Sequence, residues 1–168
     1  MIFDFNLLKN NINIPDKPGI YCLQVKDARK LPDEFAAELD RRKKFLYIGM
    51  ASKSLKKRLG QELQAKGPGT FFRSLGAVLG YLPERGSLRY GSNYKFSSVD
   101  RDKIIEWINS NINLSWNDDW KDMNKKEKKY IKKYCPLLNL KNNPLSSKRL
   151  KELRAECLRV AKDFGCVL

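Results

Sequence analysis

Two short runs constrain this chain more than any other feature: PGIYCLQV at 18–25 and FLYIG at 45–49. Each is rich in β-branched and aromatic residues and bounded by glycine, proline or charge, which predicts a strand. Gly49 is read as the stop of the second. Between them, DARKLPDEFAAELDRRKK carries Leu31, Phe35, Ala36 and Leu39 at helical spacing after Pro32, so a helix is inserted between the two strands. Beyond Gly49 the chain is mostly of helical periodicity as well. A third strand is expected only at INLSW, 112–116. The fold class is therefore α/β: a small central sheet of about three strands surrounded by helices, with the insert between the first two strands.

Ser52 or Ser54 can cap a helix with Leu55, Leu59 and Leu63 on one face. The GPG of 67–69 ends it, and 70–82 starts another. Residues 85–96 read as a mobile loop or hairpin, with basic and aromatic residues that stack on a base or simply form loop. Helices are next expected at 100–111 and from Trp120 to Cys135, where Pro136 stops the second; 137–144 is an extended connector. Glu127 falls one turn before Ile131, on the apolar side of its helix. A last basic helix, 147–164, places Leu150, Leu153, Cys157, Val160, Ala161 and Phe164 on a core stripe. One domain is expected over 1–168, with a core of about 15–140 and a basic helical extension at about 145–165.

The chain has 168 residues, with 34 Lys and Arg against 19 Asp and Glu, a formal charge of +15. Such a field attracts polyanions, and nucleic acid is the first candidate partner. The sequence has no histidine, which excludes serine-protease-type triads, histidine zinc sites and histidine-based nuclease motifs. Its four cysteines, Cys22, Cys135, Cys157 and Cys166, lack C-x-x-C pairing and read as free thiols of a reducing, cytoplasmic compartment. No apolar run approaches the length of a membrane span, so no membrane partner is expected.

Gly19-Ile20-Tyr21 and Tyr47-Ile48-Gly49, each on a strand, with Arg58 on the next helix, resemble the signature of the GIY-YIG nuclease superfamily. The segment from Glu127 through Ile131 and Pro136 to Asn139 is similar to that superfamily's E-x3-I-x4-P-x2-N block, with the spacing found in the nuclease subunit of bacterial excision repair. The likeness covers 18–64 and 120–140; FFRSLGAVLG, INLSW and PLLNLKNNP further resemble small stand-alone bacterial members. The chain departs from the pattern in its helical insert, in Met50 where excision-repair members have lysine, and in Glu62 where some restriction enzymes have histidine.

The resemblance implies a metal-dependent endonuclease that hydrolyses DNA phosphodiester bonds. RNA remains a further candidate substrate, and no small-molecule cofactor is implied. Tyr21 would be the general base, Tyr47 would orient water or phosphate, and Arg58 would clamp the scissile phosphate in a forked contact. Glu127 would hold Mg²⁺ or Mn²⁺, a hard cation that keeps its waters and needs few protein ligands. Asn139 would position Glu127 or the backbone around it. Arg58 and Glu127 are expected on helices over the same sheet face. Lys53, Lys57, Arg73, Lys148 and Arg149 are the expected nucleic-acid contacts. The alternative is a catalytically weak or inactive nucleic-acid-binding module that retains the fold.

Overall fold

The computed structural model describes residues 13–40, 42, 44–118 and 121–163, together with the backbone of 5–6. Four strands form one antiparallel sheet: β1 (Phe5–Asn6), β2 (Gly19–Val25), β3 (Phe45–Ala51) and β4 (Ile112–Asn117), in the order β1-β4-β2-β3. The helices are α1 (Asp33–Asp40), α2 (Leu55–Gln64), α3 (Thr70–Val78), α4 (Ser98–Asn111), α5 (Met123–Tyr134) and α6 (Lys148–Lys162). A single 3-10 turn, Ala28–Lys30, precedes α1. The three expected strands are present, and the two-residue β1 joins them at the outer edge of β4.

β2 lies between β3 and β4, and both of its faces are covered. Tyr21, Leu23 and Val25 enter the larger core with Leu55, Leu59, Phe71 and Leu75, whereas Ile20 and Cys22 meet Phe45, Ile48 and Ile131 on the other face. A strand buried on both sides has no polar face, so its sequence reads as a continuous apolar run. Gly49 does not stop β3, which continues to Ala51. A shift in register opposite Leu23 and Gln24 places both Leu46 and Tyr47 in the larger core, a β-bulge that re-aims Tyr47.

The outer edge of β3 is closed by side chains and by a strip of chain. Leu137 N–H donates to Phe45 C=O at 3.0 Å and Leu138 N–H to Leu46 C=O at 2.8 Å. Asn139 then accepts from Ile48 N–H at 2.9 Å and donates to Ile48 C=O at 2.8 Å. The expected connector is thus an edge cover, which satisfies groups that would otherwise stand open. Pro136 and the left-handed Cys135 turn the chain from α5 onto this path. Arg42 fastens the corner, donating to the carbonyls of Cys135 and Leu145 at 2.7 Å each and pairing with Glu38.

Ser54, not Ser52, caps α2 by accepting from Lys57 N–H at 3.0 Å, and Ser147 caps α6. α3 ends at Val78, short of residue 82. α5 is described from Met123; Trp120, where the sequence starts it, lies outside the described residues, as do Phe164 and Cys166. Cys22, Cys135 and Cys157 are free thiols. Residues 85–96 fold back on themselves as a hairpin-like loop without strands. Glu84 N–H donates to Lys95 C=O and Arg89 N–H to Asn93 C=O, while Tyr94 and Phe96 bury their rings. Gly76 admits Phe96, whose Cζ would lie 2.5 Å from a Cβ there. Among the described residues no helix is long and apolar enough to cross a membrane.

Candidate active site

Antiparallel pairing sets Tyr21 opposite Gly49, and this pair positions the site. The Tyr21 ring crosses directly over the glycine: a Cβ at position 49 would stand 2.5 Å from the Tyr21 hydroxyl and 2.9 Å from Tyr47 Cε1. Tyr47 sits beside it, the ring centroids 6.2 Å apart. The two tyrosines therefore share one face of adjacent strands, as expected. α2 packs on that face and carries Arg58 and Glu62, one turn apart.

Glu62 is the hub of the cluster. Its Oε1 accepts from the Tyr21 hydroxyl at 3.2 Å and pairs with Arg58 Nη2 at 2.6 Å; its Oε2 accepts from Phe71 N–H at 2.8 Å. The last bond caps α3 from outside, and Gly69 leaves room for it, since a Cβ there would lie 2.7 Å from Glu62 Oε2. Glu62 is fully buried, and burial lifts its pKa above 4.5, with Arg58 and the Phe71 N–H opposing. The position that is a histidine in some restriction enzymes of the superfamily is thus an internal carboxylate here, one that fixes an arginine.

Arg58 stands between this carboxylate and the two phenols. Its Nη1 donates to Gln61 Oε1 at 3.2 Å, and its Nε is buried without an acceptor. Burial opposes its charge, but the surrounding oxygens of Tyr21, Glu62 and Tyr47 outweigh that and hold it firmly protonated. Burial raises the pKa of Tyr21 well above 10, reinforced by Glu62 and Tyr47; burial and Glu62 do the same for Tyr47. Tyr21 is wholly enclosed, with its proton directed at Glu62, whereas Tyr47 keeps 8% of its surface exposed.

Glu127 reaches the cluster by a route that the sequence does not reveal. Its helix, α5, packs with Ile131 on the Ile20, Cys22 and Ile48 face, opposite α2, so Arg58 and Glu127 are not on helices over one face. The carboxylate nevertheless lies near enough to the Met50 backbone N–H and to Arg58 for both to draw its pKa down, and Tyr47 in turn feels Glu127. Asn139 holds the outward edge of β3 at Ile48, accepting from its N–H and donating to its C=O. Asn139 thus binds the backbone between Tyr47 and Gly49. The Met50 side chain faces the α5 side, away from the tyrosines, so this departure from lysine bears on the surroundings of Glu127 rather than on the phenols.

Glu127 is half-buried, and burial raises its pKa above 4.5 while the Met50 N–H, Arg58, Lys128 and Lys141 pull it down. Both Glu62 oxygens are committed, which leaves Glu127 as the carboxylate available to a cation. Among the described residues no group of three or more His, Cys, Asp or Glu converges. A hard cation bound here would have Glu127 as its protein ligand and would complete its shell from solvent or substrate, since the described residues do not form an all-protein cage.

The outlying cations divide. Lys53, Lys57 and Lys148 are exposed. Arg149 is engaged by Glu34 at 3.3 Å and Glu152 at 3.5 Å. Arg73, expected as a surface contact, is buried at 7% exposure beneath the Tyr94 ring. Its helix, α3, is buried along nearly its whole length, so a cation at that position is carried inward.

A helix-flanked antiparallel sheet thus gathers two tyrosines over a glycine, an arginine held beside them by Glu62 and a half-buried carboxylate, an arrangement that the family match assigns to a nuclease-type hydrolase domain. The chain belongs to the family described as the GIY-YIG catalytic domain, whose model matches residues 19–156. Searches of curated proteins and of solved structures found no match.

Proposed function

We propose that this protein is an endonuclease that hydrolyses DNA phosphodiester bonds with Mg²⁺ or Mn²⁺ held by Glu127. The observation that carries the reading is Arg58, a guanidinium bound on one side by Glu62 and left with a buried Nε that lacks an acceptor, near enough to the half-buried Glu127 to act on its charge. A phosphate oxygen supplies the missing acceptor. The metal, when bound, offsets the negative charge that develops on the phosphorus.

The rest falls to the chain. Arg58 orients the phosphate, and its pairing with Glu62 prevents it from swinging away. Tyr21 gives its proton to the Glu62 hydrogen bond and so anchors that carboxylate. Tyr47, the more accessible phenol, takes the proton from the attacking water. We thus assign the base to Tyr47 rather than to Tyr21, because a phenolate at Tyr21 would be sealed from water and would face the Glu62 carboxylate. Both phenols titrate high, so cleavage is slow at neutral pH and rises toward alkaline pH.

Single-turnover cleavage from about pH 6.5 to 9.5 tests the assignment. Tyr47→Phe is expected to flatten the rising limb, and Tyr21→Phe to lower the rate but keep the limb. Loss of the limb in Tyr21→Phe alone returns the role to Tyr21. The buried phenols and the neutralised arginine also favour a second reading, a binding module with little or no catalysis. Salt-dependent DNA binding without cleavage under any metal would establish it.

A further inference from the structure

Beside the candidate active site, on the far side of the α2–α3 turn, lies a cavity of about 390 Å³. Its walls are the 67–69 turn, Phe72 and Arg73 of α3, the loop residues Arg89, Asn93, Tyr94, Lys95 and Phe96, and Arg101 of α4. Four cations and no acid line it. We propose that this cavity is a second binding site, which takes the phosphate of a nucleotide on Arg73 and its base against the aromatic wall.

Arg73 makes the case. It is more than nine-tenths buried, its Nε has no hydrogen-bond partner, and no acid pairs with it among the described residues. Behind it stands a second arginine, Arg154, which donates to Ser74 Oγ at 2.6 Å, has its own Nε unpartnered and likewise lacks an acid. The Tyr94 hydroxyl is also buried with no acceptor or donor in hydrogen-bond geometry. Burial and Arg154 together lower the pKa of Arg73, against the weaker opposite pull of Tyr94 and Glu62. The carboxylate whose field reaches it, Glu62, is already bound by Arg58, Tyr21 and Phe71.

A buried guanidinium without an acid partner is costly, and a set of orphaned donors around a cavity is what an anionic ligand completes. A planar fork of donors matches phosphate oxygens. The remaining surface is mostly aromatic, with Phe72, Tyr94 and Phe96 packed against one another at centroid distances of 5.7 and 6.2 Å. Rings of this kind receive a nucleobase by stacking. The cavity volume suits a ligand of nucleotide size. Arg89 and Lys95, exposed at the mouth, draw the anion in.

The test is calorimetric titration of the full chain in EDTA, where cleavage plays no part, with inorganic phosphate, dAMP and a short single-stranded oligonucleotide as probes. Wild type is expected to bind dAMP or the oligonucleotide saturably; dAMP binding identifies a free nucleotide as ligand, and oligonucleotide binding alone identifies a nucleotide within a strand. Arg73→Met should weaken that binding about tenfold or more, as the loss of a charged hydrogen bond does. Without ligand, Arg73→Met should melt no lower than wild type, because it removes an unpaired buried charge. The exposed double variant Arg89→Gln/Lys95→Gln should weaken binding with its melting unchanged. Absence of saturable binding by all three probes overturns the proposal. So does wild-type affinity in both variants, or a destabilised Arg73→Met accompanied by a double variant that binds normally. Because the candidate active site also binds a strand without metal, the oligonucleotide titration is repeated in Arg58→Ala, and a loss of affinity on adding Arg73→Met to that background reports on the cavity alone.

Discussion

Replacing Glu62 by alanine removes three interactions at once, and their sum can be worked from the geometry. The Phe71 N–H, bound at 2.8 Å, becomes a buried orphan at the start of α3, and the Tyr21 hydroxyl loses its acceptor inside a fully enclosed site. Each such orphan costs about 1–3 kcal/mol. The Arg58 pair adds less, because its guanidinium is 30% exposed and water can replace part of the contact. Partial entry of water lowers the total, so Glu62→Ala is expected to destabilise the protein by about 3 kcal/mol at neutral pH. Glu62→Gln keeps one acceptor oxygen, enough for the Phe71 N–H, while its NH2 can only donate toward the Tyr21 hydroxyl and meets Arg58 without a charge, so it should lose about half of that. The pH dependence has a definite sign. Since the native pKa lies above 4.5, the native state holds the proton more tightly than the unfolded chain. The stability that Glu62 confers is therefore greatest at low pH and declines as pH rises from 4.5 through the native value. Urea denaturation monitored by circular dichroism at several pH values measures both effects. A loss below about 1 kcal/mol, or a gap between wild type and Glu62→Ala that widens with rising pH, would refute the role of hub.

Two further substitutions probe the frame around this hub. Gly49→Ala places a methyl 2.5 Å from the Tyr21 hydroxyl; displacement of that ring should cost about 1–3 kcal/mol in denaturation and abolish cleavage, and a wild-type result would show that the ring need not lie there. Asn139→Leu leaves Ile48 N–H and C=O unpaired at the edge of β3 and should cost about 2–4 kcal/mol, whereas a loss near zero would mean that solvent satisfies that edge equally well.

The parts of the site that the sequence reveals are those with local signals. β2 and β3 are legible because burial on both faces leaves unbroken apolar runs, and Tyr21, Tyr47 and Arg58 take their places from those elements and the helix after them. β1 has only two residues and no periodicity to read. The helical pattern correctly puts Glu127 with Ile131, but periodicity gives the face of a helix and not the face of the sheet on which the helix lands. It is the long-range pairing of Leu137, Leu138 and Asn139 with Phe45, Leu46 and Ile48 that ties the end of α5 to the edge of β3, and no local period announces it. Glu62 is visible in another way: it lies seven residues after Leu55 and directly before Leu63, within the buried stripe of α2, so its interior place can be read although its role as hub cannot. Arg73 misleads when its charge is weighed without its surroundings; TFFRSLGAV has no polar face, and an arginine within it goes to the interior.

The central claim is that Glu127 and Arg58, carried by helices on opposite faces of the sheet, cut nucleic acid together. Single-turnover cleavage of labelled single-stranded, duplex and branched DNA, with binding measured separately in EDTA, tests it most directly. The account predicts that wild type cleaves only with Mg²⁺ or Mn²⁺, that Glu127→Gln binds DNA at least as tightly without cutting it, and that Arg58→Ala loses both binding strength and cleavage. Cleavage by Glu127→Gln at the wild-type rate, or by wild type in EDTA, would contradict it.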